Sequence, residues 1–498
     1  MAVMSFRDSM FLLAESRDRP THVGSLELFE RPEGAGSDFL GDLYRRMLAS
    51  EVPPAKIFRR RAVRSISTLG QWAWEEDDDV DLEYHVRLSA LPRPGRIREL
   101  LELVSRLHGS LLDRHRPLWE IHFIEGVEGD RFAVYTKVHH ALMDGVTSMK
   151  QLQRAMTTDP EARDMPPVWT VGPRAPRPRG QKAPSSEVAQ RSSGSVITAP
   201  WRALESLATS GWHTAESAVD TATSLVGVAG ALTASLYRGL TENDVTLPFE
   251  APPTMFNVPI TGARRFAAES WPLKRIQRVR ERTGSTVNDV VLAMSAGALR
   301  RYLVEHEGLP STPLVAALPV SLTTSGGTGN QLGAILVGLA TDEADPGTRL
   351  ARIRDSGSVA KANLTDREPL ATAALSAAVA APITLGALPG ISSVLNPGFN
   401  LIISNVPGPR EPLYLEGAKL TGLYPLSVAM DGQALNITVM SYADHLEFGL
   451  TGCRRSVPHL QRMLDYLEEA LVELEAVADA ADAADAADAA DAADAAVG

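Results

Sequence analysis

The run RFAVYTKVHHALMDG, residues 131–145, constrains this chain more than any other stretch. Phe132, Val134, Thr136 and Val138 alternate with Ala133, Tyr135 and Lys137, the period-two spacing of a strand half buried on one face. Carried two residues further, the alternation puts His140 on the Phe132/Val134/Val138 face and His139 with Tyr135 and Lys137. The register therefore predicts that the second histidine looks into a dry interior. Asp144 and Gly145 then turn the chain into a helix starting near Val146, with Gly145 a small residue where backbone passes closely or takes a positive φ.

Histidine suits general-base work because its reference pKa of about 6.5 lies near neutral pH, and a neighbouring carboxylate or carbonyl can hold its tautomer. His140 is the expected base. A metal site is not expected, since no HExxH or other acidic partner stands at helical spacing from the histidines, and the single cysteine, Cys453, cannot build a thiolate site or a disulfide. Cys453 follows an expected late strand with no histidine beside it, so it is not the expected nucleophile. There is no GxSxG elbow, and Gly327–Gly329 lacks the spacing of a dinucleotide fingerprint.

The 498 residues exceed what one core of roughly 250–300 residues usually serves, so two domains are expected. A first α/β unit spans 1–165. Residues 166–255 form a linker, Pro/Ser-rich to Ser195 and then helical over Trp201–Leu240, and a second unit spans 256–477. In that second unit, helices are expected at Pro272–Arg282, Asn288–Glu305 and Val457–Val477. Strands are expected at Pro313–Pro319, Ala334–Ala340, Asn400–Ser404, Ala434–Tyr442 and His445–Thr451. The tail 478–498 repeats Ala-Ala-Asp, and because a period of three drifts around a helix it predicts a frayed, solvated extension. Six of its aspartates account for half of the net charge of −12, which gives no footing for nucleic acid.

The first twenty residues mix acidic and basic side chains and do not resemble a signal peptide. Thr221–Tyr237 is small-residue rich and the uncharged run Pro369–Pro409 is broken by Pro382, Pro389 and Pro397, so neither is expected to span a membrane. Arg59, Arg60, Arg61 and Arg64 could meet phosphates or headgroups but read first as an exposed basic face, and Glu75–Asp79 as a solvated acidic loop.

His139-His140-Ala141-Leu142-Met143-Asp144-Gly145 reads HHxxxDG, the signature of the CoA-dependent acyltransferase superfamily. With PLWE at Pro117–Glu120, NDVVLA from Asn288, FRDSMFLLAES near the start, NVPITGARRFA at 257–267, LPVSL at 318–322, GNQLG at 329–333 and SNVPGP at 404–409, the chain resembles the bacterial wax ester synthase/acyl-CoA:diacylglycerol acyltransferase family, of the actinobacterial triacylglycerol synthase type. The resemblance covers all but the linker and tail. It departs at Thr323, where the family often has arginine.

The resemblance implies two chloramphenicol-acetyltransferase-like α/β subdomains forming a pseudo-dimer around a central cleft and joined by the helical linker. It implies acyl-CoA as a substrate, no cofactor, and diacylglycerol or a long-chain alcohol as acceptor. His140 would be the base in a direct transfer, with His139, Asp144 and Gly145 shaping the motif and Asn288 and Asp289 supporting it from the second unit. Pro117, Leu118 and Trp119 would pack around the catalytic strand. A cytoplasmic protein attached peripherally to the inner face of the plasma membrane or to lipid droplets follows from such substrates. Another superfamily acyltransferase, polyketide- or amide-forming, and a catalytically idle lipid-binding protein are the competing readings.

Overall fold

The computed structural model describes residues 2–64, 68, 70–172, 251–322, 331–365 and 398–497. The connector helices expected at Trp201–Leu240, the Thr323 departure and most of the Pro369–Pro409 run lie outside the described residues.

In chain order the first half has β1 (Ala2–Val3), α1 (Phe6–Ala14), β2 (His22–Glu30), α2 (Phe39–Leu48), β3 (Arg60–Arg64), β4 (Trp72–Glu76), α3 (Leu82–His85), β5 (Val86–Ala90), α4 (Ile97–Gly109), β6 (Trp119–Val127), β7 (Arg131–His139) and α5 (Gly145–Arg154). The second has β8 (Arg264–Pro272), α6 (Leu273–Thr283), α7 (Val287–Glu305), β9 (Val315–Leu322), β10 (Gln331–Gly338), α8 (Pro346–Thr365), β11 (Leu401–Val406), β12 (Tyr414–Leu415), β13 (Ala418–Leu426), β14 (Leu435–Tyr442), β15 (His445–Cys453) and α9 (Arg462–Val497). The architecture is α/β, with two six-stranded sheets in the orders β12-β13-β2-β7-β6-β5 and β10-β9-β11-β14-β15-β8, and a small sheet β1-β4-β3.

The first sheet borrows two strands from the second half of the chain: β13 pairs antiparallel with β2, Leu420 facing Phe29. That exchange locks the halves together, because β13 also packs on the second sheet. Gly449 of β15 is the contact, where a Cβ would lie 1.8 Å from the Pro425 carbonyl oxygen, so only glycine lets the sheets approach. Helix α4 closes the joint from the other side, its Ser105 Oγ accepting from the Phe266 amide at 2.9 Å.

Each sheet packs its apolar side chains against helices. The second core gathers α7, buried on nearly every side, between α9, α8 and the sheet. The first joins Phe29, Phe123, Phe132 and Trp119 to residues of α2 and α5. The basic run and the acidic loop have one explanation: β3 and β4 are paired, Arg61 meets Glu75 at 2.6 Å, and Arg59 meets Glu76 and Asp78 at 3.0 and 2.9 Å.

The tail corrects its expectation. Helix α9 continues through the Ala-Ala-Asp repeat to Val497, and Arg278 and Arg282 of α6 pair with Asp479 and Asp482. Alanine has the highest helix propensity, and extending an existing helix costs no new nucleus, so the lack of an apolar face does not stop it.

Candidate active site

Strand β7 delivers the two histidines to different environments: His139 keeps the Tyr135/Lys137 face that the alternation gives it, and it is His139 rather than His140 that is set in a dry interior. The strand ends at His139, whose carbonyl accepts from the Leu142 and Met143 amides at 2.8 and 3.2 Å, and this tight turn takes His140 out of strand register. His139 is fully buried, while His140 is only half-buried and not set in a dry interior.

Both ring nitrogens of His139 are engaged. Its Nδ1 accepts from the Ala141 amide at 3.1 Å, so the ring proton sits on Nε2 and points at Thr21 Oγ1, 3.0 Å away, and Glu15 Oε1, 3.3 Å away. Glu15 is itself gripped by Arg114 through Oε2 at 2.8 Å. Burial pushes the Glu15 carboxyl upward, but the hydrogen bonds and charges of His139 and Arg114 outweigh it and leave it below the ordinary carboxylate value. Thr21 serves both histidines: its hydroxyl meets the His139 ring, and its carbonyl accepts from the His140 amide at 3.0 Å. The His140 ring stacks on Phe11 of α1, centroids 4.1 Å apart and planes 14° from parallel.

Sequence reasoning missed Glu15, Thr21, Arg114 and Phe11 as site residues. The signal was the segment FRDSMFLLAES, whose Phe11 and Glu15 are four apart and so share a face at the end of α1.

A second polar layer lies under His139 on the same face of the sheet. Glu120 Oε2 is 3.0 Å from the buried Lys137 ammonium and 3.3 Å from His122 Nε2. Burial raises the Glu120 pKa, but His122, Lys137 and Arg87 together pull it down to about 2. Lys137 also donates to the Leu107 and Ser110 carbonyls, fastening α4 to β7. Tyr135 Oη donates to His108 Nδ1 at 2.8 Å, and His22 Nε2, opposite His139 in register, donates to the His108 carbonyl at 2.6 Å. Burial keeps His22 well below its usual pKa and His108 down to about 3, so both stay neutral.

Asp144 caps α5, its Oδ1 accepting from the Thr147 amide at 2.7 Å. Gly145 is the first residue of that helix and exposed. Contrary to the sequence expectation, neither a positive φ nor a close backbone explains it, since a Cβ there would meet nothing within 4 Å. Leu118 and Trp119 are fully buried, the Leu118 carbonyl accepting from the His139 amide at 3.0 Å and the Trp119 indole donating to Phe58 O at 2.8 Å; Pro117 precedes them at the entry to β6. In the other half, Asp289 forms a capping box with Thr286 at the start of α7, and Asn288 beside it is half-buried. Among the described residues no group of three or more His, Cys, Asp or Glu side chains could hold a metal ion.

The profile of the wax ester synthase/diacylglycerol acyltransferase catalytic domain matches residues 4–291, and that of the WS/DGAT C-terminal domain matches 328–475. The chain belongs to this family. It is 48% identical to a probable diacylglycerol O-acyltransferase, tgs2, of Mycobacterium tuberculosis, over 95% of this chain and 99% of that protein. The solved wax ester synthase/diacylglycerol acyltransferase from Marinobacter aquaeolei VT8 superposes with a TM-score of 0.74 at 40% identity, covering 96% of this chain and all of that one. A condensation domain of the calcium-dependent antibiotic synthetase shares the fold alone, at 15% identity and a TM-score of 0.54 over 96% of each chain. The protein is thus an acyltransferase of the WS/DGAT family with the two-sheet α/β fold of that family.

Proposed function

We propose that His140 is the general base of an O-acyl transfer from acyl-CoA to the hydroxyl of diacylglycerol or of a long-chain alcohol. The observation that carries the assignment is the closed hydrogen-bond set of His139: with Ala141 on one nitrogen and Thr21 and Glu15 on the other, inside a fully buried ring, it has no nitrogen to offer a substrate. His140 stands next to that brace, half-buried and backed by Phe11.

In the reaction His140 removes the acceptor hydroxyl proton as its oxygen attacks the thioester carbonyl. The tetrahedral oxyanion collapses to ester and CoA thiolate, which takes the proton back. No acyl-enzyme forms. Asp144 holds the turn by capping α5, and the Glu15–Arg114 pair fixes His139 and, through Thr21, the backbone of His140.

Both substrates carry long chains poorly soluble in water, which favours peripheral attachment to a membrane or lipid droplet. No helix among the described residues is long and apolar enough to cross a membrane. Purified protein incubated with palmitoyl-CoA and either diolein or hexadecanol tests the activity and ranks the acceptors; release of CoA with neither would sink it. Flotation with liposomes tests the attachment, with high salt or carbonate releasing much of the bound protein. Failure to float with any lipid, or complete resistance to carbonate, would contradict peripheral binding.

A further inference from the structure

The face of the first sheet opposite His139 contains a cavity of about 30 Å³ between β2, β6, β7, α5 and Trp169. Its walls are apolar, with Phe123, Leu152 and Met156 among them. Into this lining come Glu27, Thr136 and Trp169, and both Glu27 carboxyl oxygens, Thr136 Oγ1 and Trp169 Nε1 are buried without a hydrogen bond of regular geometry. They are four of the fifteen such atoms among the described residues, and they come from three separate segments to one cavity.

Unpaired polar atoms are costly in a protein interior, so their convergence on one space is a recognition pattern. Burial raises the Glu27 pKa to about 8, with the Ser25 hydroxyl and Glu27's own amide pulling it back only in part, so the group is a neutral acid at pH 7. A neutral acid offers one donor and an acceptor, a threonine hydroxyl offers both, and an indole N–H only donates. A hydroxyl or keto oxygen satisfies that set. A charged group would have to leave water for apolar walls and does not fit.

The cavity shares two elements with the reacting site. Thr136 stands three residues before the end of β7 at His139 and Glu27 faces Val134, two residues earlier, which at the rise of a strand puts the polar groups ~10–17 Å from the strand end that His140 directly follows. Helix α5 leads from Asp144 to Leu152 on the cavity wall. That separation corresponds to the distal half of an extended long acyl chain, and the volume suits a chain segment and not a whole chain.

We propose that Glu27, Thr136 and Trp169 form a specificity subsite for a hydroxyl or keto oxygen in the distal half of a long acyl chain whose ester-forming end lies at His140. The subsite rests on His140 as the reacting end, and the chain comes either from the acyl-CoA or from the diacylglycerol acceptor.

The test uses the full chain. Oleoyl-CoA and ricinoleoyl-CoA differ in their acyl chains by one hydroxyl, and their affinities are measured by titration calorimetry without acceptor for wild type, Glu27→Leu, Glu27→Gln and Trp169→Phe. Turnover is then compared for ricinoleoyl-CoA with diolein and for oleoyl-CoA with diricinolein. A preference for the hydroxylated chain of about tenfold is expected in one arm, the donor arm showing it in binding as well. Glu27→Leu and Trp169→Phe should bring the ratio to about one, and Glu27→Gln, which keeps a donor and an acceptor, should retain part of it. Trp169→Phe, near in size and lacking only the N–H and one ring, decides the matter if Glu27→Leu does not fold. Equal affinity and turnover for both chains in wild type, or a preference that survives Glu27→Leu and Trp169→Phe, would overturn the subsite. Failure of the His140 assignment shows itself separately, as full turnover by His140→Ala, while the affinity ratio of the donor arm and the turnover ratio of the acceptor arm still decide the subsite.

Discussion

Strands β7 and β14 hold the fourth place in their sheets and end in opposite ways. After Tyr442, β14 turns through Ala443 and Asp444 straight back into β15, and the Tyr442 hydroxyl accepts from the Leu413 amide and donates to the Leu420 carbonyl. Its last side chain is spent on holding the β12–β13 segment. Strand β7 instead runs into a turn and a helix, so one terminal histidine is spent on the brace with Glu15 and Thr21 and the next is presented at the edge. The layers beneath differ too. Under β7 lie Lys137, Glu120, His122, His108 and His22, while β14 buries Asn436 and Thr438, which bond each other. A strand end becomes chemical where the chain leaves the sheet and ionisable groups are packed, with partners, below it.

The largest effect should come from breaking that layer. Lys137→Met takes the buried ammonium from Glu120 Oε2, leaving the carboxylate with His122 and a longer contact to the half-exposed Arg87 at 3.4 Å, and should cost about 3–5 kcal/mol, seen as a large drop in melting temperature. The matching change in the other half, Arg349→Met, should cost clearly less, because Glu473 is partly exposed and keeps Arg301. Equal losses would break the contrast.

Acid should separate the halves next. His22, His85, His108 and His122 have pKa values held below 6.5, chiefly by burial, so the unfolded first half binds more protons, and stability present above about pH 6.5 is lost as pH falls toward the folded values. Each histidine still neutral costs up to about 1.4 kcal/mol per pH unit over that window. The buried acids Glu27 and Glu447, raised to about 8 by burial, work the other way, their contribution being present below about pH 4.5 and lost as pH rises to about 8. One such acid lies in each sheet, so the balance on acidification is unfavourable only for the first. Hydrogen exchange at pH 5.5 against pH 7 should show β2, β6 and β7 losing protection while β14 and β15 hold theirs; loss in both sheets together would contradict it.

Smaller effects follow at the edges. Asp144→Ala removes the cap of α5 and should lower stability by about 1 kcal/mol, with activity falling because the turn after His140 loosens. Removing residues 483–498 should change the melting temperature hardly at all, whereas removing everything from Ala478, which is fully buried, should cost more, because it also takes away the Arg278 and Arg282 partners. Equal melting temperatures for the two truncations would show that this end of α9 does not dock.

Much of this was legible in the sequence. Strands β9, β10, β11, β14 and β15 and the helices α6 and α7 stood out because their apolar periods are long and their bounds carry turn residues, and the HHxxxDG run marked the site, whereas β8, β12 and β13 were not expected. Three things were not. The register at His139 and His140 depended on where β7 stops, which is decided by the amides of Leu142 and Met143 and not by alternation. The brace joins residues about a hundred positions apart, Glu15 with Arg114 and Thr21 with His139, and no local pattern announces such a pairing. The passage of β12 and β13 into the first sheet is likewise a tertiary event, since a strand's period tells which face is buried and not which neighbour it finds.

The division of labour between the adjacent histidines is tested by the rate of acyl transfer from palmitoyl-CoA, measured alongside the melting temperature for His139→Ala and His140→Ala. His140→Ala should keep the wild-type melting temperature and lose ~10²–10⁴-fold in kcat. His139→Ala should melt lower, because Glu15 loses a buried partner, and retain more activity than His140→Ala at temperatures where it is folded. A well-folded His140→Ala that retains most of its rate, with the loss falling on His139→Ala instead, would contradict that division.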